Sequence, residues 1–182
     1  MTTYISCDIE TNGTTPGLHS MLSLGAAAYD ENAKPLGTWS GNFLPLLGTS
    51  PHLGTEKWWK KHPAALIRAT EGAVDAKEAT VGFYTWAMSF PKQQICICWP
   101  AAWDYAFIYH YLMRFVGVSP FGHSALDIKT LAFAVTGEFR SKRELPKETL
   151  ELLTRREHTH IALDDAIEQA EIFFSLLKLN RL

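Results

Sequence analysis

Two carboxylates one residue apart, Asp8 and Glu10, close the apolar run Tyr4-Ile5-Ser6-Cys7-Asp8-Ile9. Side chains alternate between the faces of an extended strand, so these two acids point the same way. Thr11-Asn12-Gly13-Thr14-Thr15-Pro16-Gly17 then breaks the strand into a turn-rich loop. Side-by-side carboxylates repel, and a divalent cation between them is the economical remedy. A solvated pair at a strand end is the bland alternative, so the case depends on acids further along the chain. Asp104 stands just past an apolar run, in the first turn of a predicted helix. There it serves as a dipole partner or as a site residue. His160 and Asp165 lie together near the last helix.

The elements that must position these residues follow from periodicity. Strands are predicted near 3–10, 21–29, 36–44, 94–99 and 124–128, with a hairpin turn at 30–35 and a loop at 45–54. Helices are predicted over 64–70, from an Asp75 cap to about 89, over 101–116, over 129–135 and within 147–156. Asp127 reads equally as a strand-end acid or as the cap of the helix that follows. In the last helix Leu163, Ile167, Ala170, Phe174 and Leu177 form the predicted core-facing stripe. Trp58 and Trp59 are flanked by Lys57, Lys60 and Lys61. They read either as one core and one partly covered tryptophan, or as a stacking edge for single-stranded nucleic acid. The basic stretch 137–146, with Arg140, Lys142 and Arg143, reads as a solvated charge run or a loop near substrate.

A chain of 182 residues fits one domain, taken as 1–182. A net charge of −2 excludes a strongly basic nucleic-acid-coating protein but not a nuclease that meets phosphate through metals. Cys7, Cys96 and Cys98 lie in apolar runs, which predicts buried free thiols rather than a disulfide framework. Neither a signal peptide nor a bilayer-spanning run is seen, so a cytoplasmic protein with no membrane contact is the default expectation.

Three segments carry a family resemblance. Asp8-Ile9-Glu10-Thr11-Asn12-Gly13 resembles an Asp-x-Glu-Thr-x-Gly motif. Trp103-Asp104-Tyr105-Ala106-Phe107-Ile108 resembles a second motif, with Trp103 where Phe is usual and Pro100-Ala101-Ala102 in place of an Asn-containing lead-in. His160-Ile161-Ala162-Leu163-Asp164-Asp165-Ala166 resembles His-x-Ala-Leu-x-Asp-Ala, the most specific of the three. In this order they resemble the DEDDh branch of the ribonuclease H-like 3′–5′ exonucleases, the family of proofreading subunits and oligoribonuclease-type enzymes. The tryptophan-rich segments are similar to a phage and bacterial exoribonuclease-like subgroup.

The resemblance implies an α/β, ribonuclease H-like fold: a mixed five-stranded sheet, its first three strands antiparallel, with helices on both faces. It implies two divalent ions, Mg²⁺ or Mn²⁺, held by Asp8, Glu10, Asp104 and Asp165. Asp8 would bridge both ions, Glu10 and Asp165 would complete the site of the attacking water, and Asp104 would serve the leaving-group side. His160 would be the general base. The implied substrate is the 3′ end of single-stranded DNA or RNA, shortened by release of nucleoside 5′-monophosphates. Thr11, Trp58, Trp59 and Trp103 are the candidate substrate contacts.

On an ideal helix His160 shares a face with Asp164, not Asp165. The motif therefore requires His160 to lie in the loop before the helix, which would start near Ile161. His158 is a rival without motif support and reads as a surface residue. His19, His52, His62, His110 and His123 default to surface or core roles. Two other readings use the same acids: a silent nucleic-acid-binding scaffold on this fold, and an unrelated metal-dependent hydrolase. The aromatic content is compatible with a homodimer.

Overall fold

Nine residues of the first strand, β1 (Thr3–Thr11), are almost wholly buried. That is expected only of a strand covered on both faces. The structure, a computed structural model, describes residues 2–91, 93–137, 149, 153–156 and 158–179. In it β1 is the middle of a five-stranded sheet ordered β3-β2-β1-β4-β5. β2 (Met21–Asp30) pairs antiparallel with β1 and with β3 (Pro35–Asn42). β4 (Gln94–Cys98) runs parallel to β1 on its other side, and β5 (Leu126–Asp127) parallel to β4. The predicted α/β architecture and the antiparallel first three strands are observed.

Strand parity divides the core in two. Ile5, Cys7 and Ile9 of β1, with Cys96 and Cys98 of β4, pack on α3 (Ala76–Met88) and α4 (Ala101–Phe115) through Phe83, Ile108, Tyr111 and Leu112. Ile97 faces the opposite core, with α5 (Ile128–Thr136) and α6 (Ala162–Leu179) contributing Ile128, Ile172, Phe173 and Leu176. All three cysteines are buried and free. Asp8 and Glu10 have the parity of this second face, the one that α6 covers.

Several boundaries differ from expectation. The segment 53–59 is helical, α1 (Leu53–Trp59), and continues into α2 (Pro63–Thr70). Its seven residues carry no side-chain cap, and the fold holds it by packing Trp59 with Leu22 and Ala69. The predicted strand at 124–128 shrinks to two residues because Asp127 ends it and starts α5. The polar stretch 138–148 and half of the 147–156 segment lie outside the described residues.

The buried face of α6 is rotated from the predicted stripe. Of the predicted stripe, Ala170 and Phe174 are buried, whereas Leu163, Ile167 and Leu177 are only partly covered; Ala166, Ile172 and Phe173 are buried too, along with Asp165, Glu168 and Gln169. Apolar size misled the prediction. Small alanines let the helix approach the sheet, and three polar residues turn inward.

Asp127 proves to serve two helices. Its Oδ1 accepts from the Thr130 N–H at 2.6 Å and hydroxyl at 2.7 Å. Its Oδ2 accepts from the Ala101 N–H, the first of α4, at 2.7 Å. Asp127 thus anchors the helix that carries Asp104. Each lost cap is worth about 1 kcal/mol, so Asp127→Ala is expected to destabilise the fold by about 2 kcal/mol in urea unfolding.

Candidate active site

β1 and β4 are parallel, so their carboxyl ends lie side by side, where open α/β sheets form clefts. Asp8 and Glu10 leave β1 at this end. The strand's last carbonyl there, that of Thr11, is held at 2.9 Å by the indole N–H of Trp59. Asn12 accepts the Ser20 N–H at 2.6 Å, and the Thr11 hydroxyl donates to the Gly13 carbonyl at 2.8 Å. The turn after the acids is therefore tied down from three sides.

Opposite Asp8 in the β1–β2 register stands Gly25. A Cβ at Gly25 would fall onto the backbone of Ala162 and Leu163. Only a residue without a side chain lets the first turn of α6 lie against the sheet here. This contact brings Asp165 to β1. Ligand oxygens of Asp8, Glu10 and Asp165 lie within 4.8 Å of one another.

Asp165 is fully buried and also organises the loop before its helix. It accepts the backbone N–H groups of Thr159 and His160, each at 2.9 Å. His160 takes φ +59° in consequence, a left-handed conformation that costs a non-glycine residue about 1–2 kcal/mol. The helix begins at Ala162, so His160 does lie in the loop, as the motif required. Gln169, one turn beyond Asp165, is 2% exposed and donates to Asp8 Oδ1 at 2.5 Å.

Asp104 lies outside the group of three but acts on it. It is 3% exposed, and its Oδ2 is buried without a hydrogen-bond partner. Its carboxyl is pushed well above the usual carboxylate range, first by burial, then by the charges of Asp8, Cys98 and Glu10; a hydrogen bond from the Trp99 backbone opposes this. Clustered acids with an orphaned carboxyl oxygen call for positive charge. The donors are hard oxygens, which suit Mg²⁺ or Mn²⁺.

A cleft of about 440 Å³ opens over these residues. Asp8, Glu10, Thr11, Trp58, Trp103 and His160 line it, with one edge of the otherwise buried Trp59. Trp103 stands exposed in the first turn of α4. Of the candidate site residues, Asp104 and Asp165, both buried, do not line this cleft, and the others do.

His158, expected on the surface, and His62, left to a surface or core role, belong here as well. His62 stacks on Trp58 with ring centroids 4.1 Å apart, and the His160 ring stands edge-on to both, at 5.2 and 4.9 Å. The His158 side chain is only 27% exposed, and its Nδ1 is 3.1 Å from Asp165 Oδ1. Spacing did not reveal either residue, since they meet His160 only through the α1–α2 corner and the folded loop. The alternation His158-Thr159-His160 was the one available signal.

No family model matches the chain. The chain is 32% identical to the 3′–5′ DNA exonuclease Cap18 of Escherichia coli, over 97% of this chain and 92% of that protein. Its fold matches the nuclease domain of 3′hExo, a DEDDh family member bound to rAMP, with TM-score 0.71 and 14% identity over 97% and 92% of the two chains. It also matches S. pombe Pop2p with Mg²⁺ and Mn²⁺ bound, with TM-score 0.68 and 17% identity over 94% and 81%. A relative so similar along nearly the whole length, joined to this fold, decides the matter: the chain belongs to the DEDDh family of 3′–5′ exonucleases.

Proposed function

We propose that this protein shortens single-stranded DNA from its 3′ end, releasing nucleoside 5′-monophosphates, with Asp8, Glu10, Asp104 and Asp165 holding two divalent ions. The observation that carries this reading is the meeting of Asp8, Glu10 and Asp165 within 4.8 Å on a cleft that His160 also lines. DNA is favoured over RNA because the E. coli relative is a DNA exonuclease. A single strand is favoured because Trp58 and Trp103 face the cleft, and unpaired bases stack on such rings at about 1–3 kcal/mol per base.

When bound, the two ions stabilise charge on the attacking and leaving oxygens of the phosphodiester. The chain supplies the rest. Asp8, Glu10 and Asp165 hold the cations as oxygen donors, and the orphaned oxygen of Asp104 offers a further ligand. His160 accepts the proton of the attacking water, a task suited to imidazole near neutral pH. Trp58 and His62 pack against the His160 ring and restrict its orientation.

The test is a time course on 5′-labelled single-stranded DNA and RNA of one sequence in Mg²⁺, Mn²⁺ and EDTA. A ladder shortening from the 3′ end, faster on DNA and absent in EDTA, is the expected result. Intact substrate that nonetheless stays bound would transfer the protein to the silent-scaffold reading.

Gln169 supplies a subtler check. Replacing it with Leu removes the donor that orients Asp8 and a buried amide oxygen that has no partner. Activity in Mg²⁺ is expected to fall about 10–100-fold. The melting temperature should hold or rise, since an unsatisfied polar atom is replaced by an apolar one.

A further inference from the structure

Beside the carboxylate site lies a group of different chemistry. One ligand atom from each of His158, His160 and Asp165 lies within 4.8 Å of the other two. Two histidines two residues apart in an irregular loop would ordinarily diverge. Here the Asp165 carboxylate takes the N–H groups of Thr159 and His160, and φ +59° at His160 turns the chain. The two imidazole centroids come to 4.3 Å.

The spacing of these atoms suits a coordination shell. Ligands about 2.0–2.1 Å from a tetrahedral ion lie about 3.4 Å apart. His158 Nδ1 is 3.1 Å from Asp165 Oδ1 and 3.5 Å from Glu168 Oε2. Asp165 is wholly buried and Glu168 is 1% exposed, so two acids converge on one imidazole away from water. Imidazole ligands favour zinc-like ions, whereas the all-oxygen group of Asp8, Glu10 and Asp165 favours magnesium-like ones.

We propose that His158, His160 and Asp165 form a second cation site, specific for a zinc-like divalent ion, whose occupation shuts the nuclease off. Asp165 belongs to both groups, and a liganded His160 has no free nitrogen pair to accept a proton. Zinc held there therefore occupies the imidazole that the proposed hydrolysis needs and competes for one of its carboxylates. The inhibitory half of this inference rests on the function proposed above; the binding half does not.

The experiment uses the metal-stripped full chain. Zn²⁺ affinity is measured by competition with a chromophoric chelator, and Co²⁺ serves as the spectroscopic probe. Wild type should bind one Zn²⁺ per chain, and Co²⁺ should give the intense visible bands of a four-coordinate site with nitrogen ligands. His158→Gln should weaken Zn²⁺ at least about tenfold and remove those bands, with circular dichroism verifying its fold. His158→Cys, which keeps a zinc-binding side chain, should restore affinity and add a thiolate band. Asp104→Asn, outside this group, should bind Zn²⁺ as wild type does. In Mg²⁺, added Zn²⁺ should inhibit DNA hydrolysis along the occupancy curve found with the chelator.

Zn²⁺ binding equal in wild type and His158→Gln, or lost in Asp104→Asn, would overturn the proposal, as would absence of binding. His158 is then the imidazolium partner of Asp165 and Glu168. If Zn²⁺ binds as described but no DNA is hydrolysed in Mg²⁺, the nuclease reading falls and the zinc site stands.

Discussion

Asp8→Asn is expected to lower hydrolysis of single-stranded DNA in Mg²⁺ by about 1,000-fold or more. The substitution keeps the shape of the side chain and an oxygen that can accept from Gln169, so the packing of β1 against α6 survives. What it removes is a charge at the point where β1 and α6 meet. Charge stabilisation by bound ions is worth several kcal/mol in a hydrolytic transition state, and each 1.36 kcal/mol is a factor of ten in rate. The sign of the stability change is opposite. In EDTA, Asp8 and Glu10 both burden the buried Asp104 carboxyl, so removing one charge relieves repulsion and the variant should melt no lower than wild type. His160→Ala, assayed in parallel, should cost about 100- to 10,000-fold, the range for a positioned acid–base group. Retention of activity within tenfold of wild type by Asp8→Asn would sink the metal assignment.

Gly25→Ala is the second large effect, although Gly25 has no side chain to offer to a metal or a substrate. An added methyl at this position meets the Ala162 carbonyl and the Leu163 nitrogen, which are backbone and cannot rotate aside. The first turn of α6 must then lift from β2, carrying Asp165 away from Asp8 and Glu10. A misplacement of about 1 Å in a catalytic array costs about 100-fold in rate. Overpacking of this kind also costs about 1–3 kcal/mol. The expected result is a folded protein with a lower urea midpoint, a weaker Mg²⁺ dependence and about 1% of wild-type turnover. Wild-type turnover with only the midpoint lowered would show that α6 does not need this contact to place Asp165.

The first-strand acids, the helix after β4 and the final helix were all legible, because each rests on local pattern. Alternation places Asp8 and Glu10 on one face whatever the strand packs against. Pro100 followed by a helical run puts Asp104 in a first turn. The Asp75 cap was recovered for the same reason: its carboxylate accepts from Lys77 and Glu78, two and three residues on. The α1 helix was missed because its stability comes from Trp59 packing on Leu22, far back in the chain, and on Ala69 of the next helix. The inward face of α6 was misread for a related reason. Asp165, Glu168 and Gln169 are buried by partners on β1 and in the 158–160 loop, which helical spacing alone cannot supply.

Family and fold class were therefore determined by the sequence itself, since motif residues and strand parity are properties of short segments. Which residues stand around His160 was decided only in three dimensions. His62 arrives by the α1–α2 corner, and His158 by a loop folded onto the Asp165 carboxylate. The approach of α6 to β1 depends on the missing side chain of Gly25, 137 positions before Ala162 in the chain. Contacts between segments so far apart follow from the packing of the whole sheet and its helices, and no local periodicity encodes them.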